Sequence, residues 1–93
     1  MNAKRKGSRN ELKAIRILEA AGYSCTKSGG SLGVFDIIAV NGQGMRLIQV
    51  KSNRYPCPAE RECIELFPVP NNASKEVWVF NDYERQPIVR EIR

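Results

Sequence analysis

The stretch "FDIIAVNGQGMRLIQVKSN", residues 35–53, constrains the fold more than any other part of the chain. Its two runs, 34–40 and 45–51, are largely apolar on both faces, and the residues between them have turn chemistry. They are therefore expected as a hairpin of two central strands covered on both sides. With Gly42 and Gln43 at the centre of a type II′ turn, residues whose numbers sum to 85 face one another. Asp36 then stands opposite Gln49, Lys51 follows on the same face, and opposed Cβ atoms lie about 4.5–5.5 Å apart. An Asn41-Gly42 turn shifts the register by two and keeps the three together, whereas a three-residue loop separates them.

Burying a carboxylate and an ammonium costs several kcal/mol per ion unless they are paired or hold a ligand. Two readings account for it. In one, Asp36 and Lys51 form an ion pair tied by Gln49, or Lys51 reaches water from the strand end. In the other, Asp36, the Gln49 side-chain oxygen and the Val50 carbonyl offer oxygen ligands to a hard cation such as Mg²⁺ beside a phosphate, and Lys51 stabilises charge developing there.

The rest of the chain supplies a setting for this hairpin. "SRNELKAIRILEAAGY" puts Leu12, Ile15, Leu18 and Ala21 at helical spacing, with Gly22 as the stop and Ser8 with Glu11 as a capping box. "YSCTK" reads as a short strand and "SGGSLG" as a flexible loop. "PAERECIELF" reads as a second helix with Pro58 near its start and Ala59, Cys63, Leu66 and Phe67 as its apolar stripe. "KEVWVFN" and "PIVREI" are the last strands, with Trp78 in the core or an interface. The expected fold is α/β: a mixed central β-sheet flanked by helices, in the order α-β-β-β-α-β-β, as a single domain over residues 1–93.

Charge and composition narrow the chemistry. Fifteen Lys and Arg against ten Asp and Glu leave +5, and Lys4, Arg5, Lys6 and Arg9 crowd into the first nine residues. That segment is expected to be a basic, partly flexible arm, either merely solvated or in contact with a polyanion. There is no histidine, which removes the usual general base and the Ser-His and Cys-His nucleophile pairs, so chemistry must use carboxylates, lysine or a metal. Cys25, Cys57 and Cys63 lack CxxC spacing and read as thiols of a reducing compartment rather than a zinc site. With neither a signal peptide nor a long apolar run, the protein is expected to be intracellular and cytoplasmic.

At these residues the sequence resembles the PD-(D/E)XK nuclease superfamily, and within it the archaeal type of Holliday-junction resolvase. "KGSRNE" leads to Glu11, "AAGY" closes the first helix, "SGGSLG" supplies the loop, and "FDIIAV" with "LIQVKS" supplies the signature hairpin. The resemblance implies a restriction-endonuclease-like fold. It makes Glu11 the helix-borne acid of the metal site, Asp36 the central metal ligand, Gln49 the second ligand, and Lys51 the catalytic lysine. Ser28 or Ser31 would be the loop serine near the scissile phosphate. Phe35 departs from the family's usual proline, and Gln49 stands where Glu or Asp is usual, lowering the site charge by one unit.

What the resemblance implies is an endonuclease dependent on Mg²⁺, with Mn²⁺ as a substitute. It would hydrolyse DNA phosphodiesters at branched or Holliday junction DNA, as a homodimer. Lys4, Arg5, Lys6 and Arg9 would then track phosphates rather than read bases, and Arg54, with Tyr55, either extends that track or decorates a loop. The alternatives are a non-catalytic DNA-binding or assembly module that keeps the fold, and binding of RNA or single-stranded DNA through the arm and loop.

Overall fold

A computed structural model describes residues 3–28 and 33–92, with residues 3–7 as backbone alone. The first helix, α1 (Ala3–Ala20), begins earlier than the sequence suggests. Residues 3–9, read as an arm, are its first turns, and the Ser8 and Glu11 capping box gives way because both residues lie in the helix interior. Gly22 ends it as expected. At φ 94° it lets Tyr23 N–H reach the Leu18 carbonyl (3.0 Å) and its own N–H reach Glu19 (3.0 Å), which satisfies carbonyls the helix end would leave open. The buried stripe differs from the one expected. Asn10, Ala14 and Leu18 face the sheet, while Leu12 is 43% exposed, because a spacing of three drifts around a helix of 3.6 residues per turn.

Five strands follow in one sheet: β1 (Ser24–Lys27), β2 (Ile37–Asn41), β3 (Gly44–Ser52), β4 (Ala73–Phe80) and β5 (Ile88–Ile92). Their spatial order is their chain order, and every pairing is antiparallel except the parallel β3–β4 pair. Between these two runs α2 (Pro58–Leu66), the crossover that a parallel pair requires. Its buried contact is Ile64. Cys63 and Leu66, expected in its apolar stripe, are exposed, and Phe67 packs edge-on against Phe35 at 5.1 Å. Cys25, Cys57 and Cys63 are all free thiols.

The sheet is covered on both sides. Ala14 and Leu18 of α1 pack on Ile37, Ala39, Ile48, Trp78 and Phe80, while Ile64 of α2 packs with Phe35, Leu47, Val77, Val79 and Ile92 on the opposite face. On the α1 face Glu76 is buried and accepts hydrogen bonds from Arg46 Nε (2.7 Å), Arg46 Nη2 (2.6 Å), Ser74 Oγ (2.6 Å) and Trp78 Nε1 (2.9 Å). The Arg46 guanidinium lies over the Tyr23 and Trp78 rings, 5.2 and 5.4 Å from their centroids. Arg46, Ser74 and Trp78 all donate to this one carboxylate, which marks a structural fastening rather than a reactive cluster.

The hairpin register is the one expected: Ile37 faces Ile48, Ala39 faces Arg46, and Asn41 faces Gly44. The turn is not type II′, because the positive-φ glycines among the described residues are Gly22 and Gly33, whereas that turn needs a positive φ at Gly42. The Asn41 side chain holds it instead, accepting from Gln43 N–H (2.9 Å) and Gly44 N–H (3.1 Å). Gly44 is required for a different reason: a Cβ there would lie 2.1 Å from the Asn72 carbonyl oxygen.

Candidate functional site

The regular pairing stops one residue short of Asp36. In register Asp36 would pair with Gln49, yet its N–H bonds the Ile48 carbonyl (2.8 Å), so Asp36 and Ile37 both stand against Ile48. This is the arrangement of a β-bulge. The side chains agree, since Phe35 packs on the α2 face and Ile37 on the α1 face, where strict alternation would put them together. The Asp36 carboxylate therefore does not simply join the face of Gln49 and Lys51, as expected from the alternation. It lies at the edge of β3, where Oδ2 accepts from Val50 N–H (2.8 Å) in place of a backbone carbonyl. The Val50 carbonyl leaves the strand on the same edge as that N–H.

Gln49 and Lys51 do share the α2 face. Gln49 is 6% exposed, and its Oε1 has no hydrogen-bond partner among the described residues. Lys51 Nζ is 2.8 Å from Glu60 Oε2 on the first turn of α2, and Glu60 Oε1 also accepts from Cys57 N–H (3.4 Å). The hydrogen bond from Lys51, helped by those from Cys57, lowers the Glu60 pKa to about 2. Glu11 approaches from α1, 3.7 Å from Lys27 Nζ on β1. Burial raises its pKa, and the Asp36 charge raises it further, against the pull of Lys27. Asp36 is likewise raised by burial, against the Val50 N–H and the Lys51 charge. A carboxylate whose pKa is raised by the charge of another is stabilised by a nearby cation.

Among the described residues no group of three or more His, Cys, Asp or Glu side chains is assembled to hold a metal ion. The residues nonetheless fit Mg²⁺, which keeps several waters and takes one or two carboxylates. Asp36 supplies one carboxylate, and the partnerless amide oxygen of Gln49 supplies a neutral ligand.

Ser28 is buried, and its hydroxyl donates to the Phe35 carbonyl, so it serves to fasten the start of the loop. Ser31 lies outside the described residues, as do the side chains of Lys4, Arg5 and Lys6. Arg9 and Arg54 are exposed, on α1 and beyond β3. Sequence reasoning missed Glu60 and Lys27 as partners in the site, since neither pairing has a local signal. It also missed Lys13 and Arg16, although Arg9, Lys13 and Arg16 form a visible stripe at helical spacing.

No family model and no curated protein matches the chain. Among solved structures it is similar to Hjc of Archaeoglobus fulgidus, a Holliday junction resolvase from an archaeal hyperthermophile. Identity is 24% over 94% of this chain and 71% of that one, with a TM-score of 0.71. The chain thus has the fold of that resolvase, the mixed sheet with flanking helices expected from the sequence.

Proposed function

We propose that the chain is a metal-dependent endonuclease that hydrolyses phosphodiesters in branched or Holliday junction DNA. The observation that carries this is the buried, partnerless oxygen of Gln49 beside the bulged Asp36, on the fold of a junction resolvase. A fold sustains an orphaned buried oxygen at a cost unless something binds it. Asp36, Gln49 Oε1 and the Val50 carbonyl would hold Mg²⁺, or Mn²⁺ in its place, with Glu11 nearby. Bound there, the ion would supply Lewis-acid polarisation of the phosphate and a more acidic water.

The residues of the chain divide the remaining work. Lys51 places a positive charge where a phosphate oxygen gains negative charge, and Glu60, 2.8 Å from its Nζ, aims that ammonium. The Val50 N–H fixes one carboxylate oxygen of Asp36, so the carboxylate is ordered before a ligand arrives. Glu11, on α1 and 3.7 Å from Lys27 Nζ, would be a further carboxylate for the ion at the rim of the site. Arg9 and Arg54, with Lys4, Arg5 and Lys6, would contact phosphates, and a two-fold pair of chains suits a junction cut on opposed strands.

A second reading has its own observation. Lys51 is already paired with Glu60, and Gln49 is neutral where the resemblance implies an acid, which favours a module that binds DNA without cutting it. The decisive experiment is cleavage of a labelled four-way junction beside linear duplex and single strand, in Mg²⁺, Mn²⁺ or chelator, comparing wild type with Asp36→Asn. The asparagine keeps an acceptor for Val50 N–H while removing the charge. Metal-dependent junction cutting lost in the variant supports the nuclease; tight junction binding without cutting in either metal supports the second reading.

A further inference from the structure

A groove runs between α1 and the turn that joins β4 to β5. Its nearer part, about 430 Å³, is lined by Arg9, Asn10, Lys13, Phe80, Asp82 and Tyr83. Through Lys13 and Tyr83 it continues into a hollow of about 440 Å³ bounded also by Arg16, Glu84 and Arg85. At the near end Asn10 Nδ2 donates to Ser52 Oγ (2.6 Å), and Ser52 directly follows Lys51. The groove therefore opens beside the end of the strand that carries the candidate lysine.

Its lining is cationic on both walls. Arg9, Lys13 and Arg16 follow at intervals of four and three residues on one stripe of α1, and Arg85 faces them from the turn. None of the four makes an ion pair among the described residues. Asp82 and Glu84 are the acids of the lining, and Asp82 has a partner of its own.

Tyr83 is the unusual residue. Its side chain is fully exposed, and its φ is 69°, a left-handed conformation that bulky residues rarely adopt. A ring held in strain at the tip of a turn gains nothing from packing within the fold, which points to a use outside it. An aromatic face beside a cationic track is the combination that binds a single strand of nucleic acid, because every unpaired base offers a π-face and every nucleotide a phosphate.

We propose that this groove binds single-stranded DNA, with Tyr83 stacked on an unpaired base and Arg9, Lys13, Arg16 and Arg85 on the phosphates. Duplex DNA offers no open base face to Tyr83, so the groove selects unpaired strand. It would serve the proposed junction substrate where bases are unstacked, but strand binding here does not depend on cleavage.

The test is fluorescence anisotropy with a labelled oligothymidylate in chelator, using wild type, Tyr83→Ala, Tyr83→Phe and the double variant Lys13→Gln with Arg16→Gln. Tyr83→Ala should bind roughly 5- to 150-fold more weakly, while Tyr83→Phe, which keeps the ring, should stay within about twofold of wild type. The double variant should flatten the dependence of log affinity on log salt by about 1.4. Unchanged affinity in Tyr83→Ala, equal loss in Tyr83→Phe, or binding of duplex DNA as tightly as single-stranded DNA would overturn the proposal. Circular dichroism and Tm matching wild type ensure that each variant reports on binding. Because binding is read in chelator, a wild type that never cuts junctions would remove the nuclease reading and leave this one standing.

Discussion

Replacing Gln49 by methionine should make the metal-free protein more stable. Gln49 is 6% exposed, and its Oε1 has no hydrogen-bond partner among the described residues; a buried acceptor left in that state costs about 1–3 kcal/mol. Methionine has nearly the same length and volume, fills the same space, and carries no oxygen to desolvate. Allowing for imperfect packing of the thioether, the gain should be about 1–2 kcal/mol, or a Tm rise of roughly 5–15 °C for a domain of this size. Mg²⁺ should reverse the order. If wild type binds the ion through Asp36 and Gln49, a concentration a hundredfold above Kd adds about 2.7 kcal/mol, which Gln49→Met should largely forgo. Urea and thermal unfolding of both proteins, in chelator and in Mg²⁺, give the four numbers needed. A Gln49→Met protein less stable than wild type in chelator would refute the reasoning, because the oxygen would then already be satisfied, for instance by a buried water.

Other parts of the structure make separate predictions. Arg46→Met should cost about 3–5 kcal/mol in urea unfolding, because it strands Glu76 in the core. Burial alone would raise the Glu76 pKa, but Arg46, Ser74 and Trp78 outweigh it and hold it below the ordinary value. The stability Glu76 contributes is therefore present above its unfolded pKa and lost as pH falls through the folded one, a slope that unfolding at graded pH should find weakened in Arg46→Met. Gly44→Ala should cost about 1–3 kcal/mol by forcing the hairpin away from Asn72, while Gly42→Ala, which meets nothing within 4 Å, should change stability by under about 0.5 kcal/mol. In a carbon-13 NMR titration Glu60 should titrate near 2 in wild type and return toward the ordinary carboxylate range in Lys51→Met.

Much of the fold was legible because the hairpin is strongly specified. A two-residue turn between two apolar runs leaves few registers, and the pairing of Ile37 with Ile48 follows from that turn alone. The bulge at Asp36 was not legible, since alternation carries no sign of an extra residue and the bulge shows only in the bond from Asp36 N–H to the Ile48 carbonyl and in the opposite faces of Phe35 and Ile37. The start of α1 was misread because Gly7 and Ser8 are poor interior helix residues, yet the helix runs through both. Of the site, Gln49 and Lys51 could be put on one face from strand periodicity, but the place of Asp36 turns on the bulge, and the hold of Glu60 on Lys51 depends on where a crossover helix lands. In α2, Ala59 and Cys63 looked apolar enough to face the sheet; Ile64 takes that place, and a nine-residue helix is too short for periodicity to fix its rotation.

The agreement between strand order and chain order has a kinetic consequence. Each antiparallel strand finds its partner next to it along the chain, so three of the four pairings can zip with little loss of loop entropy. The exception is β3 with β4, which must wait until the segment between Ser52 and Ala73 has folded back with α2. That closure is the step expected to limit the folding rate. Shortening the segment should speed folding more than it changes stability, whereas mutations at the β4–β5 turn should act mainly on unfolding.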